Sequence, residues 1–200
     1  MNRVADSFAW PLRAPLSRWL PGVVCVLLLP VLFVPLLGYA IAATRAREGK
    51  PPPWVISWQL LSDGLWTALG ISLTAIPFVV IFLLVRPLRG GPVETVVTLF
   101  VLLLVWGLVA LLFLPHATVA FASTGRPVDL FNFVAAARRV RADFATWNVV
   151  VAAIVTGWAI GLACAALLCV GIVPGVFYAI LVSAHATAAL QRESKDPSAR

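Results

Sequence analysis

The side chains able to do acid–base, metal or nucleophilic chemistry in this 200-residue sequence are few and far apart. His116 and His185 each stand near the end of an apolar run and are each followed by Ala-Thr. Two imidazoles at similar depth suit a proton relay or part of a metal site. A metal centre needs a third ligand, however, and no carboxylate stands in an apolar run beside either histidine. The plainer reading makes them polar residues at helix ends, bonded to backbone or water. Asp63 heads another apolar run. It could serve as a base with His116 as partner, or as a helix cap that also pairs with Arg45 or Arg47. Gly38-Tyr39 could form a hinge or a ligand contact. Equally, Gly38 lets a neighbouring helix approach while Tyr39 anchors at the membrane interface. Cys25, Cys164 and Cys169 all lie inside apolar runs and serve as small buried apolar residues. No metal-ligand spacing, nucleotide loop or catalytic constellation stands out, so no cofactor is implied and the chain does not read as an enzyme.

The elements that must position these residues follow from composition. Apolar residues make up 62% of the chain and charged residues 12%, against roughly 45–50% and 25% in soluble domains. With a mean hydropathy of +0.99, too little polar surface remains to coat a soluble globule. The stretches 20–44, 65–85, 95–124 and 144–190 hold no Asp, Glu, Lys or Arg, and runs of this length are membrane spans. The last divides at Gly171–Gly175 into a hairpin. The expected fold is therefore an all-α polytopic transmembrane bundle of about five spans, near 20–44, 65–85, 93–115, 147–170 and 173–190. Pro30 and Pro35 bend the first span and Pro77 the second. The first run starts too late, and holds too many prolines, to read as a leader.

Two amphipathic helices are expected at the membrane surface. One covers about 54–62, with Trp54, Trp58 and Leu61 on one face. The other covers about 129–143, headed by Asp129, with Leu130, Phe133, Val134, Ala137, Val140 and Phe144 facing apolar surroundings and Arg138, Arg139 and Arg141 reaching water. The tail 191–200 is polar and expected to be disordered.

Two stretches share an order of parts: an apolar run ending in Ala-Thr, a Gly-(Lys/Arg)-Pro turn, an amphipathic segment, and a further run. Either a parallel duplication or the compositional bias of Ala-rich membrane sequence produces this. A duplication makes spans one, three and five run the same way. The net charge of +7 fits arginines gathered on the cytoplasmic face against membrane lipids, and no nucleic-acid partner is implied. With five crossings the richer face holds both amphipathic segments and the C-terminus, which puts the C-terminus in the cytoplasm and the N-terminus outside. If the first run re-enters rather than crosses, the N-terminus changes side. The arginine-rich basic complement suggests a GC-rich prokaryotic genome, and a prokaryotic cytoplasmic (inner) membrane is the expected location.

In span four, Ala153, Gly157, Gly161 and Ala165 recur every fourth residue. That is a helix-packing face, turned either toward the bundle or toward another membrane protein, including a second copy. Trp19 and Pro21 before the first run, Gly38-Tyr39 near its end, Arg45, Pro53, Trp58 and Asp63-Gly64-Leu65 together resemble a prokaryotic membrane family catalogued as domain of unknown function 4013. The resemblance implies a multi-pass membrane fold and brings no activity with it.

Three roles fit these features. The first is a non-enzymatic scaffold or accessory subunit of a membrane complex, suggested by the small-residue face and the surface helices. The second is a permease for neutral or lipid-like solutes, suggested by kinked spans and by Ser72, Thr74, Thr95, Thr98 and Thr156 along them. The third, a lipid-modifying enzyme, rests on Asp63 and His116 alone. No span carries a charge inside the membrane, which weighs against proton-coupled transport.

Overall fold

A chain this apolar must satisfy its backbone polar groups within each crossing segment, and the α-helix does so without help from neighbours. The computed structural model describes residues 2–46, 50–85, 91–167 and 171–193. Among them are eight α-helices and no strand: α1 (Asn2–Ala9), α2 (Leu16–Leu27), α3 (Leu29–Arg45), α4 (Trp58–Val85), α5 (Pro92–Thr124), α6 (Phe133–Ala142), α7 (Phe144–Leu167) and α8 (Ile172–Glu193). Short 3-10 turns at Pro11–Arg13 and Pro127–Leu130 complete the path. Helices α4, α5, α7 and α8 are long and apolar enough to cross a membrane. The protein is an all-α polytopic membrane bundle.

The first apolar run departs from expectation. Residues 20–44 do not form one span but fall into α2 and α3, separated at Leu28, with Leu32 again off helical geometry at φ −103° and ψ 18°. Pro30 sits in the first turn of α3 and Pro35 inside it, so backbone donors are missing where the chain turns. The two pieces then double back. Trp19 of α2 meets the ring of Phe177 edge-on at 5.5 Å, and Tyr39 of α3 stacks on the same ring at 6.0 Å. In a continuous helix residues 19 and 39 stand about 30 Å apart. Arg18, at the head of α2, donates to the Pro51 carbonyl at 2.6 Å, just beyond the tail of α3. The head of α2 and the tail of α3 thus lie at one end of the bundle, and the run doubles back on itself. Among the described residues four helices are long and apolar enough to cross a membrane, and the run expected as the first of five spans consists of two shorter apolar helices.

The segment 54–62 also differs. Residues 51–57 are not helical, and α4 begins at Trp58 and continues unbroken into the span. Trp54 is drawn inward onto Tyr39, so the Trp54/Trp58 spacing does not mark one helix face. Ser57 accepts from the Leu60 N–H at 3.2 Å and caps the start of α4. Asp63 lies inside α4 and does not cap it. In the second amphipathic segment the helix starts at Phe133, where the Asn132 side chain accepts from Ala135 N–H at 3.0 Å. Asp129 instead sits in the preceding turn and accepts from the Thr124 hydroxyl at 2.6 Å. In the tail, Gln191–Glu193 still belong to α8, while 194–200 lie outside the described residues.

Helix α5 spans 33 residues, about 50 Å at 1.5 Å per residue, against a hydrocarbon core of about 30 Å. Its surplus is the C-terminal part, where Ala117, Val119, Ala120, Phe121 and Ala122 are buried. The helix stops at Gly125, whose φ of 69° turns the chain into the left-handed region that glycine adopts freely, with its N–H on the Phe121 carbonyl at 2.8 Å.

Helix α8 is the centre of the bundle and touches α7, α3, α2, α5 and α1. Two apolar clusters meet along it. One joins Trp10, Cys25, Leu36, Tyr39, Leu60, Phe177 and Leu181. The other joins Val119, Val150, Ala153, Ile154, Ala186 and Leu190, with Val4 and Phe8 of α1 packed against it. The membrane-crossing parts of α4 and α5 are different: Leu73, Ile76, Val80 and Leu84 on one, and Val93, Val97, Phe100 and Leu104 on the other, remain exposed. These two helices form an apolar arm beside the bundle.

Candidate functional site

The polar residues near the membrane-surface end of the bundle gather into three sets. The first ties α3, α4 and α5 together. Arg45 donates to the Asp63 carboxylate through Nη1 and to the Ala122 carbonyl through Nε at 3.0 Å. Its guanidinium also lies 5.9 Å from the centre of the Phe121 ring, within cation–π range. Asp63 is buried, and its own carbonyl accepts from the Thr67 hydroxyl at 2.7 Å. A carboxylate so held is an anchor for three helices.

The second set surrounds Gly38 and Tyr39. A Cβ at Gly38 collides with the Leu60 carbonyl, and one at Gly64 collides with the Val34 carbonyl. Helices α3 and α4 therefore cross backbone to backbone, with both glycines at the crossing. Tyr39 is fully buried. It stacks on Trp54 at 4.0 Å and 7°, and its hydroxyl donates to the Pro52 carbonyl at 3.0 Å. The triproline segment is thereby stapled to α3. Trp54 was expected on the membrane surface, and its inward role has no local signal in the sequence.

The third set involves the histidines. His185 Nδ1 lies 2.9 Å from the Ser7 hydroxyl, and Trp10 stacks on its imidazole at 4.8 Å. Serine and histidine at this distance have the geometry of an activated nucleophile. Ser7 is 0% exposed, however, and its neighbours close over it. With Tyr178 donating to the Phe8 carbonyl at 3.0 Å, the pair latches α1 onto α8. Sequence reasoning passed over Ser7 and read Trp10 only as one of the N-terminal aromatics at headgroup depth. The one available signal was the three-residue spacing of Val4, Ser7 and Trp10. His116 is buried in α5, and its Nε2 has no hydrogen-bond partner among the described residues. Arg139 and Asp143 lie within electrostatic range of it. No group of three or more His, Cys, Asp or Glu among the described residues could hold a metal.

The small-residue face of α7 is occupied within the chain. Ala153, Gly157 and Gly161 are buried. A Cβ at Gly157 meets Val182 at 2.9 Å, and one at Gly161 meets the Gly175 carbonyl. Helix α8 covers this face at Gly157 and Gly161. The side chain of Ala165 lies outside the described residues.

Among the polar residues of the crossings, Thr74 accepts from Trp106 Nε1 at 3.2 Å and returns its own proton to the Ile71 carbonyl at 2.7 Å. Thr95 and Thr98 likewise bond back to Gly91 and Glu94. Beside the Thr74–Trp106 bond, α4 and α5 leave an apolar cavity of about 270 Å³, lined chiefly by Phe78, Val79, Phe82, Leu99, Leu103 and Trp106. A family model described as a protein of unknown function (DUF4013) matches residues 22–181. No curated protein and no solved structure matches the chain.

Proposed function

The chain belongs to the DUF4013 family, whose function is unknown, and from its own geometry we propose that it is a non-enzymatic scaffold or accessory subunit of a complex in a prokaryotic cytoplasmic membrane. The observation that carries this reading is the arm formed by α4 and α5. Its apolar faces are largely uncovered within the chain, while the charged and aromatic residues with defined partners hold helices to one another. A rigid bundle with an open apolar arm suits attachment to a second membrane component.

The test places a photo-crosslinking residue at Val97 or Leu104 of the arm, and separately at Leu162 on the exposed side of α7, in native membranes. Discrete protein adducts from the arm positions, with few from Leu162, are expected. Adducts to lipid alone from every position would overturn the scaffold reading. A second reading, a permease for neutral or lipid-like solutes, is favoured by the apolar cavity between α4 and α5. Adducts to one small apolar molecule from Leu103 would support it.

The returning α2–α3 pair supports a second reading of the orientation. With one crossing at 20–44, Arg3, Arg13 and Arg18 fall outside. With a re-entrant pair they join Arg45, Arg47, Lys50, Arg126, Arg138, Arg139, Arg141, Arg192, Lys195 and Arg200, leaving Arg86 and Arg89 alone opposite. The positive-inside rule then favours both termini in the cytoplasm. In a chain with its native cysteines replaced, Asn2→Cys and Ser198→Cys should resist a membrane-impermeant thiol reagent in intact cells, while Gly90→Cys reacts. Labelling of Asn2→Cys from outside would restore the odd number of crossings.

A further inference from the structure

A groove of about 410 Å³ runs between α5 and α6, lined by Leu112 of α5 and by Val134, Ala137, Arg138, Val140 and Arg141 of α6. It combines an apolar wall with two guanidinium groups. The two ion pairs among the described residues are Arg13–Asp6 and Arg45–Asp63, and neither Arg138 nor Arg141 has an anionic partner there. They stand three residues apart, which brings side chains to the same side of a helix. Helix α6 is well held: Asn132 caps it, Ala136 and Val140 are buried, and Phe133 meets Phe113 of α5 edge-on at 5.7 Å. The arginines are therefore presented on a fixed support. Val134, 68% exposed, extends the apolar wall outward.

We propose that this groove binds an anionic phospholipid, with its phosphate between Arg138 and Arg141 and an acyl chain along Leu112, Val134 and Ala137. Arginine recognises phosphate oxygens through paired, charge-assisted hydrogen bonds. A soluble phosphate leaves the apolar wall uncovered. A zwitterionic lipid brings a cation of its own toward the arginines. An anionic lipid satisfies both halves of the groove, and Leu112 lies within the apolar stretch of α5 that crosses the membrane. This site is independent of what the α4–α5 arm contacts.

Purified protein in neutral detergent, titrated with palmitoyl-oleoyl phosphatidylglycerol or with phosphatidylcholine of the same chains and read by native mass spectrometry, tests the assignment. Wild type should bind phosphatidylglycerol on the order of 25-fold more tightly, since each of the two basic residues contributes about a fivefold gain near a membrane surface. R138Q/R141Q should abolish the preference, and R126Q, a basic residue outside the groove, should keep it. Both groove arginines are exposed, so an unchanged melting temperature is expected for the variant. Equal binding of both lipids by wild type, or a preference that survives R138Q/R141Q, overturns the proposal. An equal loss in R126Q reassigns the effect to general surface charge, and displacement by inorganic phosphate at matched concentration assigns the groove to a soluble anion; either result also overturns it.

Discussion

Gly64→Ala is expected to lower the thermal midpoint of the detergent-solubilised protein by about 2–12 °C, although it adds a single methyl group. At the α3–α4 crossing the added carbon has nowhere to go, because it meets the Val34 carbonyl and the backbone nitrogen of Gly38. Backbone cannot rotate aside as a side chain does, so the helices must separate. Overpacking of this kind costs about 1–3 kcal/mol or more. A chain of this size shifts by about 2–4 °C per kcal/mol. Gly107 provides the control, since a Cβ there finds nothing within 4 Å. Gly107→Ala should leave the midpoint unchanged or raise it slightly, alanine being the better helix former. Equal behaviour of the two variants in a differential scanning fluorimetry trace would show that the close crossing is not formed.

The second large effect belongs to the Arg45–Asp63 pair. Removing one partner from a buried pair leaves the other charge uncompensated, at a cost of about 3–5 kcal/mol for full burial. Here the side chains of Arg45 and Asp63 are 27% and 10% exposed, and solvent screening lowers the figure to about 2–3 kcal/mol. Asp63→Ala suffers most of it, because the Ala122 carbonyl and the Phe121 ring still hold the guanidinium in place. Removing both charges together, as R45M/D63L, should restore much of the loss, since apolar replacements leave no unpaired ion. A double-mutant cycle on the unfolding midpoint measures this directly. Strictly additive single effects would mean that the two residues stabilise the fold separately.

Spans α4, α5, α7 and α8 were legible because each carries a long run without charge, and the bilayer leaves such a run few alternatives to a helix. The reversal between α2 and α3 was not. Pro30 and Pro35 announce a bend, but the full return rests on Trp19 and Tyr39 meeting Phe177, a partner more than 130 residues further along the chain. Asp63 looked like a cap because the helix was expected to begin at Leu65, whereas Ser57 starts it earlier and leaves the carboxylate to Arg45. Trp54 and Trp58 have helical spacing by coincidence of an extended segment, and stacking on Tyr39 decides where Trp54 goes. The small residues of α7 were readable as a packing face, but which helix covers it depends on the α7–α8 hairpin closing at that register. Ser7 and His185 illustrate the same limit: two unremarkable polar residues become a latch only when the ends of the chain meet.

The returning α2–α3 pair also bears on how the protein is made. If it dips in and comes back, what must be carried across the bilayer during synthesis is reduced to the tips of two hairpins: the few residues joining α4 to α5 and those joining α7 to α8. The first tip holds two arginines and the second holds no charge. Neither is long enough to need a secretion apparatus for a folded domain, and each pair of helices can enter together with its backbone already satisfied. Insertion then proceeds in closed pairs from one side, and whatever is attached to either end of the chain stays where the ribosome left it.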